Sequence, residues 1–174
     1  RVGGAMSGVG AIVRFIATYD TGIDDKRRIT VPAEFRATLR HMNLSAPDTL
    51  YLWKSKEGDT LECAGEDFID RLEAQLDVLS LEDPGQAEAL SQQIFGASRA
   101  VNLDAGGRFV LPEAFTRAVG LADRGVFTGA GAYFRLASPA ATEALEERCR
   151  SLANDAVRDR VFARARRRGA GGEA

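Results

Sequence analysis

The chain has 174 residues, of which 45% are apolar and 28% charged, with a formal net charge of −2. That balance fits one or two folded domains and argues against disorder, a collagen-like chain or a membrane span, since no stretch reaches the roughly 18 to 20 apolar residues a spanning helix needs. Cys63 and Cys149 stand far apart and His41 is the single histidine, so nothing points to a disulfide scaffold, a Cys/His zinc site or a nucleophile–histidine pair, and a cytosolic protein is expected.

Residues 1–14, rich in Gly, Ala and Val, have no clear period and read as a disordered extension, so structured protein is expected to begin near Phe15. The most informative feature comes next, because it recurs. Ile23-Asp24-Asp25-Lys26-Arg27-Arg28-Ile29-Thr30-Val31-Pro32-Ala33-Glu34-Phe35 lines up with Leu103-Asp104-Ala105-Gly106-Gly107-Arg108-Phe109-Val110-Leu111-Pro112-Glu113-Ala114-Phe115. Asp24 and Asp104, Arg28 and Arg108, Pro32 and Pro112, and Phe35 and Phe115 are each 80 positions apart. Four identities in one register mark a tandem duplication.

Each copy predicts the same elements. An alternating apolar stretch (Phe15 to Ile23, or Ala100 to Leu103) enters an Asp-x-x-x-Arg turn, and a short strand follows with Ile29 and Val31, or Phe109 and Leu111, on one face. Proline ends the strand and is expected at the first helical position. Phe35 and Leu39, or Phe115 and Val119, share a face of that helix, with Asn43 and Gly120 as the expected stops. A hairpin closes each unit: Leu50–Trp53 with Leu61–Ala64, and Val126–Thr128 with Tyr133–Leu136. Gly129-Ala130-Gly131 lies between two strands and lacks a third glycine, so it reads as a hairpin turn and not as a nucleotide loop.

Between the copies, Phe68, Ile69, Leu72, Leu76 and Leu79 predict one helix, and Pro84 opens a second through Leu90, Ile94 and Phe95. This region is acidic: Glu57 to Asp83 carries ten carboxylates against Arg71 alone. After the second copy, Ser138-Pro139 opens what reads as one long helix through Leu145, Leu152, Val157 and Val161, ending in Arg164 to Arg168 and a flexible Gly/Ala tail. Positive charge gathers there and around Lys26-Arg27-Arg28, Arg36 and Arg40. That uneven distribution leaves polyanion binding open despite the small net charge.

The pattern Asp-x-Lys-Gly-Arg-apolar-x-apolar-Pro-x-x-apolar-Arg, repeated in weaker form in the second copy, resembles that of the MraZ family, bacterial transcription factors built from two SpoVT/AbrB-type domains. The likeness covers roughly Phe15 to Leu136. It implies an α+β fold with a mostly β core: two tandem swapped-hairpin β-α-β units at 15–65 and 97–140, a helical linker at 66–96, and a C-terminal helix and tail at 141–174. It also implies a repressor of the division and cell-wall gene cluster, including its own promoter, acting in the cytoplasm and nucleoid. The partners implied are double-stranded DNA with short direct repeats and other copies of the chain in a ring; no cofactor, small-molecule substrate or membrane is implied.

Carried over by position, the DNA-contacting residues are Asp24, Lys26 and Arg28 in the first copy and Asp104 and Arg108 in the second, and Arg27, which has no counterpart in the family pattern, joins them as a candidate phosphate contact. An arginine at a turn can present its planar fork to guanine or clamp a phosphate, with Asp24 orienting it and Lys26 facing a phosphate. The Asp–Arg spacing alone equally fits an exposed cross-turn ion pair with no ligand role. Two departures stand out: Arg27 occupies the family's glycine position, and Gly106 replaces the lysine in the second copy. The first turn is therefore expected to carry most of the affinity. Rival readings are an antitoxin-like module or ring scaffold with a protein partner, and an enzyme, for which no nucleophile motif or phosphate loop is present.

Overall fold

The computed structural model describes residues 14–169, so the expected disorder of the N-terminal extension and of the last five residues falls outside the described residues, except for Arg14. In chain order the elements are β1 (Thr18–Gly22), β2 (Arg28–Thr30), α1 (Ala33–Met42), β3 (Thr49–Lys54), β4 (Leu61–Ala64), α2 (Glu66–Glu82), α3 (Pro84–Phe95), β5 (Arg99–Asn102), β6 (Arg108–Val110), α4 (Glu113–Ala118), β7 (Arg124–Gly129), β8 (Phe134–Ala137), α5 (Pro139–Leu152) and α6 (Asp155–Gly169). The fold is α+β with antiparallel strands throughout. The chain divides into two units after Pro139.

In the first unit the two sequence copies interleave. The main sheet runs β1-β7-β8-β4-β3-β5, and β2 pairs with β6 in a separate two-stranded ribbon. Each copy thus donates its first strand to the other copy's hairpin, β1 to β7 and β5 to β3. Exchanging the copies maps the order onto itself about a pseudo-two-fold axis. That axis passes between Ile29 and Phe109 in the ribbon, and between Glu62 and Arg135 where β4 meets β8.

Packing explains why the copies cannot separate. Phe15 and Phe35 from the first copy meet Phe127 and Phe134 from the second in one aromatic cluster, with Phe35 centred 4.9 Å from Phe134 and 5.3 Å from both Phe15 and Tyr19. Leu50, Leu52, Leu61 and Leu136 of the sheet, Ile29 and Phe109 of the ribbon, and Leu39, Phe115 and Val119 on the helix side complete the same buried core. A smaller cluster holds Trp53, stacked on Phe68 at 5.8 Å, with Phe95 and Tyr133. Its surroundings include Glu62, which accepts from the Trp53 indole N–H at 2.8 Å and lies 3.7 Å from Arg135.

One local expectation, the place of the two prolines, needs correction. Pro32 and Pro112 precede the first helical residue and act as N-caps with ψ of 144° and 132°, the extended values that carry the chain out of the strand. Asn43 ends α1 as expected, with φ of −104°. Its buried side chain also tethers neighbours: Nδ2 donates to the Thr49 carbonyl at 2.6 Å, and Oδ1 accepts from the Glu66 N–H at 2.6 Å, capping α2 from outside. Gly120, at φ 65°, follows α4 as expected.

The second unit, expected as one long helix, is two, broken at Ala153-Asn154. The cause is local. Asn154 Oδ1 accepts from the N–H groups of Ala156 and Val157 at 2.9 and 3.3 Å, an N-cap that starts a new helix where apolar spacing alone suggests continuation. None of the described helices is long and apolar enough to cross a membrane.

Truncating Phe35 to alanine removes the ring on which both copies converge, and is expected to destabilise the fold by about 3–5 kcal/mol. A urea melt checks this; a loss under about 1 kcal/mol would show that the cluster does not hold the copies together.

Candidate nucleic-acid interface

The ribbon of β2 and β6 places the sequence-predicted residues together. Ile29 faces Phe109 and both side chains are buried, so the alternation of a strand turns Arg28, Thr30, Arg108 and Val110 to the opposite, exposed face. Arg28 stands opposite Val110 and Arg108 opposite Thr30, so the two arginines lie diagonally across one short surface. Thr30 and Val110 carry no signal in the sequence that singles them out. Their strand partners, Arg108 and Arg28, come from the other sequence copy, and the pairing that puts them beside the arginines is invisible locally.

Both arginines emerge from turns of the same design. In the first, Asp24 Oδ1 accepts from the Lys26 and Arg28 backbone N–H groups at 3.0 and 2.8 Å, and Oδ2 takes the Arg28 Nε–H at 2.7 Å. In the second, Asp104 Oδ1 accepts from the Gly106 and Arg108 N–H groups at 2.8 and 2.9 Å, and Oδ2 takes the Arg108 Nε–H at 2.9 Å. These carboxylates close the turn and aim the guanidinium with one group. Each ion pair uses Nε, so the terminal amino groups of both arginines stay uncommitted by it. The side chains remain 44% exposed at Arg28 and 51% at Arg108, accessible to a ligand.

The electrostatics follow from the same contacts. The Arg28 backbone N–H, and then its guanidinium, hold the Asp24 carboxyl below its ordinary range. Asp104 is lowered in the same way, chiefly by the Arg108 backbone N–H. A carboxyl lowered in the fold contributes stability that is fully present above its unfolded pKa and is lost as pH falls through the lower folded value. Both aspartates are thus orienters, ionised at neutral pH. Lys26 is exposed; its contribution here is the backbone N–H given to Asp24.

The departures in the turns have a structural counterpart. Arg27 sits at φ 58° and Gly107, its equivalent, at φ 76°. The glycine adopts this left-handed conformation freely, whereas an arginine is strained there. Arg27 is held by contacts to the other copy: its carbonyl accepts from the Leu111 N–H at 2.9 Å and its Nε–H donates to the Leu111 carbonyl at 3.2 Å. The equivalent carbonyl of Gly107 accepts from the Val31 N–H at 2.9 Å. At least part of the compensation for Arg27 is therefore internal to the chain.

Arg36 lies against Gly107, a placement that no local sequence pattern indicates. A Cβ on Gly107 would sit 2.1 Å from Arg36 Cδ and 2.6 Å from its Nε, so any other residue there would make the end of the Arg36 side chain move. Arg36 is the last residue of the family pattern, and its repeat position is Thr116, whose hydroxyl bonds the Pro112 and Glu113 carbonyls of its own turn. Elsewhere, His41 is an exposed residue in the last turn of α1, and Arg158, Arg160, Arg164, Arg166 and Arg167 are on exposed stretches of α6, apart from the ribbon in sequence and in a different unit. Among the described residues, no group of three or more His, Cys, Asp and Glu is placed to hold a metal ion.

Two measurements test this geometry. In an NMR pH titration, the Asp24 and Asp104 carboxyl carbons are expected to titrate with midpoints below the usual value of about 3.9; midpoints at or above it would mean that the turns do not hold these carboxylates. Separately, Arg27→Ala keeps the left-handed strain and removes the hydrogen bond from Nε to the Leu111 carbonyl, so it is expected to be about 1 kcal/mol less stable than Arg27→Gly. Equal denaturation midpoints would show that the turn relaxes.

No protein-family model matches the chain. Comparison with curated proteins does give relatives. The chain is 33% identical over 144 residues to the transcriptional regulator MraZ of Caulobacter vibrioides, covering 82% of this chain and 88% of that protein. It is 32% identical over 122 residues to the transcriptional regulator MraZ of Phenylobacterium zucineum, covering 70% and 73%. For that of Hyphomonas neptunium the figures are 32% over 139 residues, 79% and 81%.

Proposed function

The chain belongs to the MraZ family of transcriptional regulators, and on that premise we propose that it is a sequence-specific DNA-binding repressor whose recognition surface is the β2–β6 ribbon with its two turns. The observation that carries this reading is the duplicated Asp–Arg arrangement on one exposed strand pair. The major groove admits a two-stranded β-ribbon, and an arginine fork can bind guanine O6 and N7 with about 1–3 kcal/mol of discrimination. Asp24 and Asp104 orient, Arg28 and Arg108 read bases or clamp phosphates, and Lys26 and Arg27 add positive charge beside the first turn.

One such ribbon offers few contacts, so the reading includes assembly into a ring whose ribbons meet short direct repeats together. Linking several weak contacts multiplies their effect. The sheet order ends at β1 and β5, strands with one backbone edge each unpaired in this sheet, and such edges favour further association. Repression would follow from occlusion of the promoter; the targets proposed are the division and cell-wall gene cluster and the chain's own promoter.

The test is fluorescence anisotropy with a duplex from upstream of the chain's own coding sequence and a scrambled duplex, at several salt concentrations. Wild type is expected to prefer the native duplex. Arg28→Ala is expected to lose about 10- to 100-fold of that preference with an unchanged elution volume in size exclusion, and Arg108→Ala to lose less, because its own turn carries no second basic residue. Unchanged affinity in the Arg28 variant would remove the site assignment, and equal weak binding to both duplexes would turn the search towards protein partners.

A further inference from the structure

Three exposed arginines on other helices each have a carboxylate one turn earlier. Asp67 pairs with Arg71 on α2, Glu113 with Arg117 on α4 and Glu147 with Arg150 on α5. The last helix breaks this habit. α6 carries five exposed arginines, from Arg158 to Arg167, against two carboxylates, Asp155 and Asp159. No carboxylate stands three or four residues to either side of Arg160, Arg164, Arg166 or Arg167.

Arg160, Arg164 and Arg167 recur at i, i+4 and i+7, so they share one face of the helix. At a rise of about 1.5 Å per residue their row is roughly 10 Å long. A duplex carries one charge per about 3.4 Å of axis on each strand, so such a row spans about three phosphates. Like charges at this spacing repel one another and weaken a helix. Nothing at helical spacing offsets that repulsion, whereas a polyanion would, and the guanidinium fork matches phosphate oxygens.

The same helix is poorly suited to a lipid surface. Val157, Val161 and Phe162 are exposed on it, but the Arg158 guanidinium lies over the Phe162 ring, 5.5 Å from its centre. Charge thus covers the largest of the three, and binding at a bilayer interface scales with the apolar area buried.

We propose that α6 is a second DNA-contacting element, in which Arg160, Arg164 and Arg167 grip duplex phosphates whatever the sequence. This rests on the reading of the chain as a DNA-binding regulator. Phosphate contacts supply affinity and no sequence information, so α6 holds the duplex while the ribbon reads it. α6 belongs to the second unit and is covalently tied to the first. Either element, once bound to a duplex, therefore raises the effective concentration of the other.

The test compares the full-length wild type, the triple variant Arg160→Gln, Arg164→Gln, Arg167→Gln, the corresponding lysine triple, and Arg28→Ala. Anisotropy with the native and scrambled duplexes over a salt series reads DNA binding, and flotation with phosphatidylglycerol vesicles reads lipid binding. The glutamine triple is expected to weaken both duplexes alike, by about tenfold or more, and to flatten the slope of log affinity against log salt by about 0.9 for each phosphate it no longer neutralises. The lysine triple is expected to keep the wild-type slope. In thermal melts the glutamine triple is expected at or above the wild-type temperature, because it removes like-charge repulsion. Unchanged affinity and slope in the glutamine triple would overturn the proposal, and so would a loss confined to the native duplex. Vesicle binding that the glutamine triple abolishes, with its DNA binding unchanged, would overturn it in favour of a lipid surface. Arg28→Ala keeps the two readings apart. If the ribbon assignment alone is wrong, that variant retains the preference for the native duplex while the glutamine triple still flattens the slope; a wild type that binds neither duplex would overturn both.

Discussion

The exchange of strands between the two sequence copies is the constraint on which everything else depends. Neither copy has a complete sheet of its own: β1 finds its ladder on β7, and β5 finds its ladder on β3. Strands paired this way must place their buried faces on one shared core, so the aromatic cluster draws on both copies. The β2–β6 ribbon is the smallest part of this arrangement and is wholly subordinate to it. Three residues from each copy form it, and a strand pair of that length is marginal alone. It is held because Ile29 and Phe109, facing each other at its centre, are anchored in the core below.

This arrangement also explains the chemistry of the turns. An exposed arginine on a flexible loop would lose much side-chain freedom on meeting a ligand. Here one carboxylate fixes two backbone N–H groups and the guanidinium together, so the arginine is oriented by the atoms that shape its turn. The proposed DNA contact fits this arrangement: a carboxylate facing DNA directly would repel it, while one turned inward against its own arginine does not.

Much of this is legible in the sequence, and the boundary is a physical one. The duplicated Asp-x-x-x-Arg, the proline before each helix and the alternating strands are local signals, and they place the elements and the six candidate residues. The left-handed conformation at Arg27 is foreseeable because the repeat puts a glycine at the same position. Contacts between the copies are not legible from periodicity: which strand pairs with which is set by a core assembled from residues some 80 positions apart, so Thr30, Val110 and Arg36 cannot be located that way. The break at Asn154 escapes for another reason. Apolar spacing reports the helical faces on either side of it, and the capping power of a single asparagine overrides that continuity.

Glu62 and Arg135 face each other on the pseudo-two-fold axis, half-covered and 3.7 Å apart. A residue on the symmetry axis of a true dimer confronts its own copy, so any charge placed there meets its like. Joining two copies in one polypeptide lifts that prohibition and lets the axis hold a pair of opposite charges. The halves are thereby no longer interchangeable: a chain made of two first copies would set a glutamate against a glutamate beside Trp53, and one made of two second copies would set arginine against arginine.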